Sequence, residues 1–546
     1  MKRFLWLGFV LFFYVICSGC GETYRAIIYP NPPVFPNPQG AHSVVAINDN
    51  TNANGTVLPG TAMPIDVSGD SEMTGASVGL RPVHAAQQNA NTVLVANQAV
   101  SGTAADSMTK LSFSGTSIYG ASTISLPENS APDFVAIAPL DTYAYVTLPG
   151  SSPPSVGVVN TSTNLMITTV SVGSNPYALA VTPDKSKLYV ANQGDGTITA
   201  FTVTETTSSV NLTSRTINGS LRSAPLWLVA RTDSQQVYVL ETSGTLASIA
   251  ITSTIGPDTL TESPISMPTA TTMTYDPNLI RLYIPGEPQT PGGRQLEIVD
   301  VSQSTPQSLA ALPIAPVLGS ARAQGDVCSA FNPSVVTSAA VAALPDGSRA
   351  YVGSYAEFTV NVTISSATAN SDGIHTTYTY SLPSGPPDLL PGMVITISGI
   401  TSSSGPPPND FNGTFTIISV GGGTFEVTNA PTDTYVSGGT GAAPNICPQV
   451  TVINAKSYAV ESTFAVPGFP TYEPFCAQTR FRMMMAAAGD STRAYMSSCD
   501  GGNVSFINTS TDTYFQNLAA PASERSPIPP SLQDPPQNPV FLIAGP

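Results

Sequence analysis

Three histidines, four cysteines beyond residue 20 and a scatter of carboxylates are the residues of this chain with the means to do chemistry. His42, His84 and His375 are the only side chains whose ordinary titration lies near neutral pH. They fall in three different parts of the repeat pattern set out below, so the sequence does not assemble them into an acid–base pair. His84 lies in the apolar first strand of one repeat, where it could face a central channel. Arg482, next to Met483–Met485, could project into the same channel and meet an anion. Asp184, Asp195, Asp346 and Asp490 recur in turns. They could hold Ca²⁺, but aspartates in such turns usually accept from their own backbone amides, and that is the reading taken. There is no Cys-x-x-Cys-His haem attachment and no Gly-x-Ser-x-Gly nucleophile elbow. The sequence therefore offers no catalytic constellation, no metal site and no cofactor.

The positioning elements are short strands. From Ser174 to Gly219 the chain runs Asn175–Val181, a Pro-Asp turn, Lys187–Asn192, Gln193–Gly196, Thr197–Val203 and then Asn211–Ile217. Each run is rich in Val, Ile, Thr, Tyr or Phe and is bounded by Gly, Pro, Asp, Asn or Ser, which predicts a four-strand meander. The second strand recurs around Leu94, Tyr145, Tyr189, Tyr238 and Tyr283, at spacings of 44 to 51 residues, and again around Tyr351 and Tyr495. That period suits one propeller blade. The more apolar first strand, as in Leu226–Ala230 or Met483–Ala486, is expected to be the innermost and to be buried on both faces.

Tyr189-Val190-Ala191-Asn192 and Leu94-Val95-Ala96-Asn97, with the Pro183-Asp184 and Pro345-Asp346 approaches, resemble the YVTN family of β-propeller repeats. The resemblance implies an all-β propeller of four-stranded blades over most of residues 79–520 and implies little about function, because the family is defined by packing residues. The last run, Asn538–Ala544, reads as a first strand with no second strand behind it. Arg25–Tyr29, Ser43–Ile47 and Met63–Val67 offer the complement, so the two ends are expected to share one blade and close the ring. That gives eight blades, with seven the alternative.

Roughly ninety residues interrupt the period between Ser354 and Val450 and contain their own alternating strands. They read as a small inserted β-module at 359–446, dividing the propeller into 20–358 and 447–546. Val394–Gly399 followed by Asn412–Phe415 resembles small β-modules of phage-tail and bacterial surface proteins. Inserted loops carry recognition more often than repeats do.

In an antiparallel meander the end of the second strand lies beside the start of the first. That predicts a Cys476–Cys499 disulfide in the last full blade, and by the same relation a Cys328–Cys447 disulfide in the blade before it. No pair of thiols has the close spacing of a zinc site.

Lys2-Arg3 and the apolar run Phe4–Ile16 have the layout of an export signal. Ser18-Gly19-Cys20 resembles a bacterial lipobox, with Cys17 where leucine is usual. The resemblance implies a signal peptide at 1–19 and lipidation of Cys20, anchoring the protein to a membrane of the cell envelope. Only 10% of residues are charged and the net charge is −16, with no basic cluster, which excludes nucleic acid as a partner. The expectation is a noncatalytic binding or scaffold propeller at the bacterial envelope, with an envelope protein or a glycan as partner. Two alternatives stand beside it. One is a hydrolase resembling the lactonase-like propellers, which work with acidic residues, Arg and His at the channel mouth. The other is a structural component of the surface-layer type.

Overall fold

A computed structural model describes residues 43–51, 57–89, 91–99, 106–206, 209–252, 256–323, 326–383, 387–403, 411–468, 475–514 and 538–544. The signal region, Cys20, Arg25–Tyr29 and His42 lie outside the described residues. Among those described there are only strands and two short 3-10 turns, and no helix is long and apolar enough to cross a membrane.

Seven consecutive meanders follow one another around an axis, at residues 82–125, 135–171, 176–215, 217–266, 274–312, 337–465 and 483–514. They are numbered here as blades 2 to 8. An eighth sheet, blade 1, is built from both ends of the chain. Its innermost strand Asn538–Ala544 pairs with Ser43–Asp49, which pairs with Pro59–Asp66 and then with Ser71–Glu72 and Ala76–Leu80. The ends thus share one blade as expected, and ring closure removes two sheet edges.

The burial pattern corrects one expectation. The second strands, not the first, are the most deeply buried: Thr92–Asn97, Tyr143–Leu148, Lys187–Asn192 and Gln236–Glu241 are covered at every residue. First strands such as Pro176–Val181 and Pro225–Ala230 alternate between buried and half-buried. They line the axis, whereas a second strand is sandwiched between the faces of two neighbouring blades.

The recurrent tyrosines stand in equivalent places, and Tyr145, Tyr189, Tyr238, Tyr283, Tyr351 and Tyr495 are all fully buried. Several clasp the next blade. Tyr189 Oη donates to Asp258 Oδ2 of blade 5 (2.8 Å), and the same carboxylate takes Arg215 Nη2 at 2.7 Å. Tyr351 Oη donates to Asp512 of blade 8 (2.6 Å), which also pairs with Arg349. Arg493, two residues before Tyr495, grips both oxygens of Asp70 in blade 1. Tyr145, Tyr283 and Tyr495 differ, because their hydroxyls are buried with no hydrogen-bond partner among the described residues. Tyr189→Phe is therefore expected to cost about 1.5–3 kcal/mol, the range for a hydrogen bond to a charged group. Tyr145→Phe should be near neutral. Paired denaturant melts would check the contrast, and equal losses would contradict it.

Where the Arg is missing, two carboxyls meet instead. Glu205, at the end of a strand in blade 4, shares a hydrogen bond with Asp141 of blade 3. The nearest cation is Lys185, 3.8 Å from Asp141. Burial, then the hydrogen bond and charge of Asp141, raise the Glu205 carboxyl from 4.5 to about 7. An acid raised on folding favours its protonated form. Its stabilisation is therefore full below about pH 4.5 and lost as pH rises through about 7. Glu205→Gln should flatten the pH dependence of stability across that window, measured by denaturant melts at stepped pH.

The insertion is a closed barrel continuous with blade 7. Strand Arg349–Ala369 runs straight through the expected strand end at Ser354 and the expected module boundary at 358/359, and Thr440–Asn454 returns beside it, paired residue by residue from Arg349↔Asn454 to Thr363↔Thr440. Beyond the ring these two strands join His375–Ser381, Thr424–Thr428, Gly413–Gly421 and Val394–Ser398 in an unbroken cycle of six paired strands. The period-2 pattern explains the interior. Phe358, Val360, Val362 and Ile364 point in, while Glu357, Thr359, Asn361 and Thr363 point out. A barrel of six strands is filled by its side chains, here with Tyr378, Ile395, Phe425 and Val427.

Candidate functional site: the axis of the ring

The first strands begin, and the second strands end, on one face of the ring, and the ribbon to the barrel leaves from that same face. There the axis is closed by the segment that enters blade 8. After the 3-10 turn Cys476–Gln478 the chain carries Arg480 across to the opposite blades before reaching Met483. Arg480 Nη1 pairs with Asp133 Oδ2 ahead of blade 3 (3.1 Å) and donates to the Tyr177 carbonyl of blade 4 (2.7 Å). Nη2 donates to the Leu226 carbonyl of blade 5 (3.3 Å). Its guanidinium lies over the rings of Tyr177 (3.8 Å), Phe134 (5.0 Å) and Trp227 (5.1 Å). One side chain thus ties blade 8 to three blades on the far side. A planar, weakly hydrated cation suits that setting better than an ammonium would.

His84 does face the axis, but as part of this packing. Its ring stacks on Phe134 at 3.8 Å and leans on Phe541 of the closing strand at 4.5 Å, and the Val135 amide donates to Nδ1 at 3.4 Å. The residue is only 5% exposed. Burial, then the Arg480 charge, hold its pKa well below 6.5, so it is neutral at physiological pH and closed to a substrate. Burial likewise raises the carboxyl of Asp133, against the pull of Arg480.

Arg482 does not offer itself to an external anion. It makes a bidentate pair with Asp500 (2.7 and 3.1 Å), bonds Glu357 at the root of the ribbon and lies over Tyr355 at 5.2 Å. The carboxylates of its own chain take the place the sequence reading gave to an anion. The residue that crosses the axis is Arg480, two positions earlier, which the sequence reading missed. Its signals were an aromatic neighbour, Phe481, and the scarcity of Lys and Arg in the chain, 19 in all.

The cysteines pair as expected, Cys328–Cys447 and Cys476–Cys499. The first lies at the root of the ribbon, where Cys447 is the partner of Ala356 and Phe331 stacks on Phe358. The second fixes the turn from which Arg480 springs. Both point to an oxidising, extracytoplasmic compartment. His375 stands on the barrel, bonded to Asp372 at 2.5 Å, far from the axis in the fold. The turn aspartates cap their turns: Asp184 accepts from the Ser186 amide, Asp346 from Ser348 and Asp490 from Thr492, while Asp195 accepts from Ser174. No group of three or more His, Cys, Asp or Glu that could hold a metal occurs among the described residues.

No family model matches the chain, and no curated protein matches it. Solved structures do. The β-propeller domain of Cps50 (Swd1) from Myceliophteria thermophila is 7% identical with a TM-score of 0.41, over 78% of this chain and 95% of that one. A protein from Lactobacillus plantarum is 12% identical at 0.39, over 63% and 95%. A protein of Bacteroides uniformis provisionally assigned as a 6-phosphogluconolactonase is 12% identical at 0.39, over 57% and 92%. These likenesses concern the fold alone, and the ring of four-stranded blades makes this chain a β-propeller with an inserted barrel.

Proposed function

We propose that this protein is a noncatalytic binding or scaffold propeller of the bacterial envelope, held to a membrane by lipid on Cys20, and that the barrel rather than the channel is its recognition element. The observation that carries this reading is the closure of the axis by Arg480 on the face from which the barrel rises. Among the described residues, Arg480 and His84 are packed at the channel mouth against the rings of Phe134, Tyr177, Trp227, Phe481 and Phe541. A barrel on an unbroken two-strand ribbon, locked at its root by Cys328–Cys447, is held rigidly for contact. The partner class is an envelope protein or glycan. The YVTN-like repeat belongs to the same proposal as the source of the ring.

The test is capture from envelope extract with the full chain and with the chain lacking 359–446, each checked for cooperative melting. Loss of the captured partner on deletion supports the reading. An unchanged set overturns it. One observation favours a lactonase-like second reading: Asp133, Arg480 and His84 do converge at the axis. That reading requires lactone hydrolysis by the purified chain that falls with Asp133→Asn, whereas the binding reading expects no hydrolysis to lose.

A further inference from the structure

We infer that the face of the ring opposite the barrel rests on a lipid surface, with the ends of blades 2 and 3 on that face as the contact. The inference takes its membrane from the lipid anchor proposed above and adds which way the molecule stands on it. The described chain enters and leaves the ring on this face. Val44 pairs with Ala544, so Ser43–Asp49 starts, and Asn538–Ala544 ends, at the end of blade 1 away from the barrel. Residues 21–42 join Cys20 to that point. An acylated Cys20 is thus tethered to the far face, and the barrel points away from it.

The exposed apolar side chains of the ring gather at the same face, where turns join first to second and third to fourth strands. Leu140 sits in one such turn of blade 3 and is 60% exposed, and Leu165, which opens the outer strand after the other turn, is 63% exposed. The Thr161 amide of the second turn donates to the Thr142 carbonyl of the first at 2.9 Å. In blade 2, Tyr119 near the start of the outer strand Ser117–Ser125 is 72% exposed, and Ser122 of that strand accepts from Asn164 at 3.2 Å. These residues therefore form one stretch of rim. Ile167 and Val460 also lie toward this face, and of the exposed large apolar residues of the ring only Leu318 is in a connection on the barrel side, among the described residues. Charge is sparse here too. Lys110 Nζ donates to the Thr161 carbonyl (2.7 Å) and Lys185 Nζ reaches the Leu140 carbonyl (3.5 Å), while Asp141, the one carboxylate in these turns, has a side chain only 1% exposed. On the other side of blade 1, the matching turns of blades 7 and 8 carry Asp346 and Asp490. A chain of net charge −16 meets lipid with least repulsion where Tyr and Leu stand beside Lys. An exposed Tyr also suits the headgroup layer, which solvates its hydroxyl while its ring is buried.

The test places the full chain, with a C-terminal hexahistidine tag, on phosphatidylcholine vesicles containing a nickel-chelating lipid and a trace of a diazirine phospholipid. The tag holds the far face to the vesicle without relying on Cys20. After illumination, peptides bearing Tyr119, Leu140 and Leu165 should carry at least about tenfold more lipid label than those bearing the Asp346 and Asp490 turns, which flank blade 1 on its other side. Leu140→Glu with Leu165→Glu should cut that label at least about tenfold, because two charges then enter the interface. Both side chains are exposed, so the fold should survive, as a melt unchanged from the parent would verify. Equal label on the two sides of blade 1 would mean proximity through the tag alone and would overturn the inference. So would label concentrated on the barrel, or label indifferent to the paired substitution. An N-terminal peptide from the native envelope without an acyl chain would sink the lipid on Cys20, whereas the footprint stands or falls on the vesicle label.

Discussion

Replacing Arg480 with alanine is expected to destabilise the ring by about 3–5 kcal/mol, the range for breaking a buried ion pair by removing one partner. The loss has two parts. Asp133, whose side chain is 15% exposed, is left as an uncompensated carboxylate against Phe134 and Tyr177. The carbonyls of Tyr177 and Leu226 also lose their donor. A paired substitution, Arg480→Met with Asp133→Asn, removes both charges while keeping volume, and should recover most of the loss. Arg222→Ala provides the contrast. That arginine is 67% exposed and lies 3.6 Å from Glu262, so its loss should stay within about 0.5 kcal/mol. Denaturant melts of the four proteins read all of this. If the paired substitution is no better than Arg480→Ala, the argument from an uncompensated charge fails.

The second large effect is at the root of the barrel. Cys328 and Cys447 close a loop spanning 119 residues, and a cross-link over that length removes about 5 kcal/mol worth of chain entropy from the unfolded state. Cys476–Cys499 spans 23 residues and by the same relation contributes about 3 kcal/mol. Replacing each pair by alanine should therefore rank the losses in that order. The long-loop disulfide does more than tie the chain. Arg322 is buried beside it, donating to the Val466 carbonyl (3.0 Å) and the Pro448 carbonyl (3.1 Å), and Asp326 accepts from the Cys328 and Gly468 amides. Cys328→Ala with Cys447→Ala should accordingly loosen the ribbon as well. Faster hydrogen exchange around Tyr355–Phe358 would report it, with blade 4 unaffected.

Much of this architecture can be read from the residues, because a blade is a local object. The spacing of Tyr145, Tyr189, Tyr238 and Tyr283 marks the second strands, and the Pro-Asp turn before Tyr189 marks where the chain reverses. The cysteine pairing follows from strand direction alone. What could not be read depends on distant contacts. Nothing in Phe358–Ile364 says that its alternation continues a propeller strand and at the same time forms one wall of a barrel, since closure depends on pairing with residues some eighty positions later. Arg480 and Arg482 look alike in sequence. Which of them crosses the axis is decided by the anchor at Cys476 and by the carboxylates waiting on each side, Asp133 for one and Asp500 with Glu357 for the other. Arg482 is for that reason a paired arginine and does not meet an external anion, while His84 faces the axis as a packed histidine.

The seal itself can be measured by footprinting with an arginine-selective dicarbonyl, read peptide by peptide in a mass spectrometer. With the axis closed, the Arg480 side chain, 10% exposed and pinned on three blades, should react at least about tenfold more slowly than Arg222, a difference equivalent to one decade in accessible population. Reaction of Arg480 at the rate of Arg222 would mean an open channel, and recognition would then belong to the axis and not to the barrel.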